Sequence, residues 1–267
     1  MAFNKETATR GIRQYHIDMV DGDIGEYVLL PGDPFRCDIV ARYLKEPKLV
    51  AHKREHKTYT GIYRGLVVSV TSTGMGCPST AIALEELANI GGKVFLRIGT
   101  SAGLKAKVKV GDILITTASM KNEGTSRMYV PENFPAVPDL DLTSKLIRTA
   151  REMCRNTSHG VHAGITSTDD AFYAETPEWV EGLVELGCTN IEMESSAIFT
   201  ICHRRRLRAG CICACSANLH TEEVYFGRKN EITPIAVEKM TEIALESFYQ
   251  FDQARKNDTL LRSWTRH

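Results

Sequence analysis

Charge of one sign, long apolar runs and paired metal-ligand spacings are all missing from this sequence. Lys plus Arg and Asp plus Glu stand at 33 each over 267 residues, so no global field draws in nucleic acid or an anionic membrane. Any anion site must be local. No window approaches the ~20 apolar residues of a membrane span. The N-terminal stretch MAFNKETATRGIRQYHIDMV mixes charges where a signal peptide needs an apolar core, so a cytoplasmic protein is expected. The eight cysteines, Cys37, Cys77, Cys154, Cys188, Cys202, Cys211, Cys213 and Cys215, show no zinc-like spacing with histidines and read as buried thiols in a reducing compartment. HExxH, the Walker loop and a GxGxxG fingerprint in helix context are absent too, which argues against a zincin, a P-loop NTPase and a dinucleotide dehydrogenase. Arg204, Arg205 and Arg206 read as a solvated helix end.

What is present is alternation. Apolar runs bounded by Gly, Asp or Pro alternate with stretches of helical period. YVLLPGD reads as strand and turn and RCDIVARYL as a helix, followed by a hairpin through Arg64 and Gly65. STAIALEELANIGG reads as a helix closed by Gly91 and Gly92, and KVFLRIGTSAG and DILITTAS as strands. Next come the helix TSKLIRTAREMCR, the strand and loop GVHAGITSTDDAFY, and the helix TPEWVEGLVELG capped by Thr176. SSAIFTICHRRR follows as a helix, then the core strand AGCICACSANL, whose three thiols fall on one face. A long last helix is N-capped by Thr233. Without repeats or a linker, residues 1–267 form a single α/β domain, a three-layer α/β/α arrangement around a mixed, mainly parallel twisted sheet. Residues 258–267 read as a disordered tail. Sites are expected at the C-terminal ends of the strands.

Three of those ends, PGDPFR, TSTGMGCPST and RIGTSAG, offer small residues where a backbone can approach a ligand closely, and two of them, PGDPFR and RIGTSAG, carry an arginine that can grip an oxyanion. Each alone also reads as a structural turn. Arg97 stands inside an apolar strand, where a buried cation requires an anionic partner. In NIEMESSAIF, Glu192 and Glu194 point the same way if the chain is extended and suit a vicinal diol, though a helix start rich in acid accounts for them equally. Phe172 and Tyr173 offer a wall for a flat ligand or ordinary packing, with Asp169 and Asp170 beside them.

Taken in order, PGDPFR, TSTGMGCPSTAIALEELANIGGKVFLRIGTSAG, GDILITTAS, FPAVPDLDLTSKLI, TSTDDAFY and IEMESSAIF resemble the nucleoside phosphorylase family of uridine phosphorylases and hexameric-type purine nucleoside phosphorylases. The resemblance runs from about Tyr15 through the last helix and is closest to the uridine enzymes. It implies reversible phosphorolysis of a nucleoside, with uridine favoured, to free base and ribose 1-phosphate. Inorganic phosphate is then a co-substrate and no organic cofactor is needed. It further implies that Gly32, Arg36, Arg97 and Thr100 bind phosphate, with Arg54 contributed by a neighbouring subunit. Met193 and Glu194 would hold the ribose, and His16 would reach its 5′-hydroxyl across a dimer, the minimal active unit, which some members build into hexamers. Arg97, Glu194 and Arg36 would carry catalysis. A monovalent cation such as K+ near Glu55, Met75 and Ser79 is part of the same expectation. Phe172 would pack on the base.

The base half departs from both subtypes. Thr176 and Glu178 stand where uridine enzymes place a glutamine and an arginine, and Ala217, followed by Asn218, stands where purine enzymes place an acid. Loss of a general acid costs ~10²- to 10⁴-fold in rate. These four positions and Phe172 are the candidate base contacts. A purine or broad-specificity phosphorylase is the alternative, and a non-catalytic nucleoside binder is the alternative of another class.

Overall fold

The computed structural model describes residues 11–225 and 231–257. The expected tail lies outside them. Strand β1 (Tyr27–Leu30) leads into helix α1 (Pro34–Ala41), and β2 (Lys45–Lys53), β3 (His56–Tyr63) and β4 (Leu66–Thr71) form a meander before helix α2 (Cys77–Asn89). The β3–β4 turn falls at Arg64 and Gly65, both at positive φ (49° and 85°), the backbone twist that tight hairpins require. Strands β5 (Val94–Gly103) and β6 (Ile113–Asn122), helix α3 (Leu140–Cys154), strand β7 (Val161–Asp169) and helix α4 (Pro177–Glu185) follow. The short β8 (Asn190–Glu192), helix α5 (Ser195–Arg204), strand β9 (Arg208–Asn218) and helix α6 (Ile232–Asn257) complete the described chain. Helix α6 begins at Ile232, so Thr233 stands inside its first turn and does not cap it.

The sheet runs β2-β3-β4-β1-β5-β8-β7-β6-β9, and β9 also pairs with β5, so five of its strands close a ring. Pairings of β1 with β4 and β5, β9 with β5, and β7 with β6 and β8 are parallel. Those of β2–β3, β3–β4, β5–β8 and β6–β9 are antiparallel. Two-residue periodicity sorts the side chains between two cores. Leu29, Leu96, Ile98, Ile212 and Ala214 meet apolar residues of α1, α3 and α6. Leu30, Phe95 and the thiols of Cys211, Cys213 and Cys215 face α2 and α5 on the other side. All eight cysteines are free and buried.

Strand β5 positions the site. Strand β9 covers one of its edges from Val94 to Gly103. The other edge is shared: β1 pairs only as far as Arg97, and β8 begins only at Ala102. Between them residues 98–101 have no ladder partner on that edge, and the C-terminal ends of β1 and β8 open onto the gap. Such a divergence of neighbouring strands is where open α/β sheets gather their ligands.

Candidate active site

Gly32 lies just past the end of β1, clamped to the glycine-rich turn after β4 by Gly74 N donating to Gly32 O (3.0 Å) and Thr73 N to Pro31 O (2.8 Å). A Cβ on Gly32 would come within 3.1 Å of Gly74 O, so the two turns touch backbone to backbone. Asp33 then caps α1, its Oδ1 accepting from Phe35 N at 2.9 Å, with Pro34 in the first helical position. The cap aims Arg36 at β5, where its Nη2 donates to Thr100 Oγ1 at 3.2 Å. Burial and the nearby Arg97 guanidinium both hold Arg36 below the usual arginine range. Two turns and one strand thus bring Arg36 to Thr100 and close enough to Arg97 to feel its charge, with Gly32 at the start of the same turn.

Arg97 is 4% exposed and lies on the α2/α5 side of β5. Its Nε donates to Glu192 Oε2 at 2.7 Å and its Nη2 pairs with Glu194 Oε2. Burial opposes its charge, yet the two carboxylates outweigh that and raise its pKa. The guanidinium folds back over Gly99, where a Cβ would sit 2.7 Å from Nη2 and 2.8 Å from Cζ. Glycine at 99 is thus the condition for Arg97 to take this position, a requirement readable in RIGT only once the arginine is known to turn back.

The two carboxylates divide their work. Glu192 ends β8 and accepts from Thr168 Oγ1 (2.7 Å), Ser195 Oγ (2.6 Å) and the amides of Glu194 and Ser195, besides Arg97. Against the pull of burial, Arg97 and these donors keep it ionised. It is an internal anchor, its oxygens spent on bonds within the fold. Glu194 precedes α5, and its Oε1 accepts from Gly76 N at 2.6 Å. Burial, with the charge of Glu192 added, pushes its pKa up against the attraction of Arg97. Met193 lies between them, its carbonyl accepting from Cys77 Sγ at 3.2 Å.

The base candidates are scattered over three segments. Phe172 begins a short 3-10 turn, Phe172–Ala174, and packs edge-on against the fully exposed Tyr173 at 5.1 Å. Thr176 caps α4 through Trp179 N (3.3 Å), and Glu178 is exposed in that helix's first turn. Ala217 lies near the end of β9, paired with Ala102. Asn218 corrects its expectation. It is fully buried, its Nδ2 donates to the carbonyls of Lys105 (3.0 Å) and Val108 (2.6 Å), and its Oδ1 accepts from the amides of His220 (2.9 Å) and Thr221 (3.1 Å). All four bonds an amide side chain can make are used inside the fold, which leaves nothing for a base.

The Phosphorylase superfamily model matches residues 26–248, from the start of β1 into α6. A uridine phosphorylase of Thermococcus kodakarensis is 42% identical over 82% of this chain and 81% of its own. A guanosine phosphorylase of Halorubrum lacusprofundi is 40% identical over 78% and 84%, and the uridine phosphorylase of Escherichia coli 34% over 79% and 88%. The chain belongs to the phosphorylase superfamily. Two candidates of this phosphorylase stand apart from Arg36, Arg97 and Thr100 within one chain. His16 is held by Glu86 of α2, which accepts from His16 Nδ1 (2.6 Å) and from the amides of His16 (2.9 Å) and Ile17 (2.9 Å). Glu86 lies ten residues beyond Gly76, the partner of Glu194, so His16 sits about 15 Å further along α2. It lines a second cavity of about 870 Å³ with Tyr15, Ile82 and Met128, the last three well exposed. Arg54 is exposed at the β2–β3 turn, φ 55°, and among the described residues pairs with no carboxylate.

A cavity of about 1460 Å³ holds none of the candidates. It lies at the opposite end of the strands, between the end of α5 and the start of β9, and much of its cationic lining is already paired: Arg208 with Asp139 and Arg205 with Glu85. Glu55 and Ser79 do meet: Ser79 Oγ donates to Glu55 Oε1 (2.8 Å) and to Thr73 O (2.5 Å), while the Met75 side chain is 84% exposed beside them. No helix of the described residues is long and apolar enough to cross a membrane.

Proposed function

We propose that this phosphorylase cleaves a nucleoside, uridine first among them, with inorganic phosphate. The observation that carries the reading is the juxtaposition of Arg36, Thr100 and Arg97 with Glu194 at the open edge of β5. Phosphate held by Gly32, Arg36, Arg97 and Thr100 presents an oxygen beneath ribose C1′. As the C1′–N bond breaks, the base leaves with the electron pair and takes up a proton, and the new O–C1′ bond gives ribose 1-phosphate. The transition state has oxocarbenium character, so a fixed anion beneath the ring stabilises it as well as attacking it. Glu194, anchored by Gly76 N and Arg97, accepts from the ribose hydroxyls, and Met193 lies against the sugar. Phe172 covers the base, with Thr176, Glu178 and Ala217 around it.

His16 and Arg54 complete the site from a second copy. Glu86 fixes the His16 ring through Nδ1, and among the described residues nothing bonds its Nε2, the nitrogen that suits the 5′-hydroxyl. A homodimer is then the minimal active unit. Glu55, Met75 and Ser79 offer oxygen ligands of the kind a monovalent cation takes, shared between copies. With eight free thiols in its interior the protein suits a reducing cytoplasm. The guanosine phosphorylase relative supports guanosine as the second substrate reading. Base release from uridine, guanosine, inosine and thymidine, measured with and without phosphate, tests the proposal. Uracil release that rises with phosphate is expected; release indifferent to phosphate would mean hydrolysis.

A further inference from the structure

The loop that carries Phe172 and Thr176 also carries Glu175, a carboxyl that the expected contacts leave out. Strands β7 and β8 run parallel, Thr168 opposite Glu192 and hydroxyl-bonded to it at 2.7 Å. One strand therefore continues into Asp169 where its neighbour continues into Met193, and the loop 170–176 rises beside the ribose segment. Asp169 is 6% exposed and fully engaged: Oδ1 accepts from Ser167 Oγ and Asn122 Nδ2, and Oδ2 from Trp179 Nε1 at 2.7 Å. This last bond ties α4 to the strand end and fixes the path of the loop between them. Phe172 opens the turn in that loop and Glu175 closes it.

Glu175 is half-buried, and among the described residues it accepts no hydrogen bond and meets no cation. A carboxyl kept from water with no donor of its own is costly unless something else supplies one. We propose that Glu175 is the base-reading group of this site and that it pairs with a lactam edge, the N–H next to a C=O that uracil and guanine both present. The neutral acid is the complement of that edge: its O–H donates to the base carbonyl while its C=O accepts from the ring N–H, two bonds in one plane. Burial, with the neighbouring Asp169 adding to it, raises the Glu175 pKa to about 7, so the acid form is populated near neutrality. The charged group that acts on it is acidic, Asp169 at the end of β7, and its charged neighbours in sequence, Asp170, held by Gly124 N, and Glu178 on α4, are acidic too. None would hold the carboxylate form in place.

This assignment rests on the nucleoside-phosphorylase reading, so its test measures binding of uracil itself, by calorimetry, apart from turnover. Between pH 6 and 8 the acid fraction of a group titrating near 7 falls about tenfold, and the affinity of the unmodified enzyme for uracil should fall with it. Glu175→Gln carries an N–H donor and a C=O acceptor at every pH and should bind uracil with no such dependence. Glu175→Ala should weaken uracil about tenfold or more while leaving the phosphate KM unchanged, which separates base reading from a folding defect. Unchanged uracil affinity in Glu175→Ala, or the same pH dependence in Glu175→Gln as in the unmodified enzyme, would overturn the assignment. Failure of phosphate-dependent turnover, with uracil binding behaving as stated, would count against phosphorolysis and leave base reading standing.

Discussion

Replacing Arg97 with alanine removes the cation that Glu192 and Glu194 share. Both carboxyls are buried, at 4% and 3% exposure. Breaking a buried pair by deleting one partner costs about 3–5 kcal/mol, because the charge left behind has neither water nor a counter-ion. At this chain length that corresponds to a Tm lowered by roughly 6–20 °C. The loss should also depend on pH. In the variant the downward pull of Arg97 is gone, burial governs, and both folded-state pKa values rise above those of the unfolded chain. A raised folded pKa means that the folded state holds its protons longer. The associated stability is present below the unfolded carboxylate range and is lost as pH rises through the folded values. Arg97→Ala should therefore lie closest to the parent at pH 5 and furthest from it at pH 8, in urea denaturation followed by circular dichroism. Equal destabilisation at both pH values, or no destabilisation at all, would refute the idea that Arg97 neutralises this pair.

Other consequences follow from the same contacts. Gly99→Ala puts a methyl group within 2.7 Å of the Arg97 guanidinium and should raise the phosphate KM at least several-fold with a smaller effect on the nucleoside KM, in initial-rate kinetics over both substrates. Asn218→Ala strands two carbonyls, that of Val108 buried, and two amides and should cost about 2–4 kcal/mol in denaturant unfolding without altering the ratio of rates on uridine and guanosine. Inactive His16→Ala and Glu194→Ala chains, mixed under conditions of subunit exchange, should regain part of the parental activity, since one intact site forms for each mixed dimer; no recovery despite exchange seen by mass spectrometry would argue against a shared site.

Much of the frame was legible because it depends on local rules. The Arg64-Gly65 turn, the Thr176-Pro177 helix start and the alternating thiols of CICAC each follow from a short stretch and recur in the structure. Strand β2 was not legible. KEPKLVAHK is charged and largely exposed and contains a proline, so it has no strand pattern of its own; it becomes an edge strand by pairing irregularly with β3. Ring closure by β9 on β5 was hidden for a related reason, since periodicity says which face is buried but not which edge is paired. In the site, Arg97 announced itself as a cation in an apolar strand, and the need for an anionic partner was correct in kind. How the two carboxylates divide their partners was out of reach, because Glu192 and Glu194 differ only through donors from Gly76, Thr168 and Ser195, far away or hydroxyl-bearing and unremarkable in sequence. Asn218 misled for the converse reason: its position next to Ala217 suggested a ligand contact, while its real partners lie across the chain at Lys105 and Val108.

The central claim is that phosphate, not water, takes the ribosyl group. Its most direct measurement is the product formed from uridine and phosphate, resolved by phosphorus NMR and base-release chromatography in one reaction. The account predicts ribose 1-phosphate in one-to-one ratio with uracil, and the reverse synthesis of uridine when uracil and ribose 1-phosphate are supplied. Uracil accompanied by free ribose, with the phosphate signal unchanged, would contradict it.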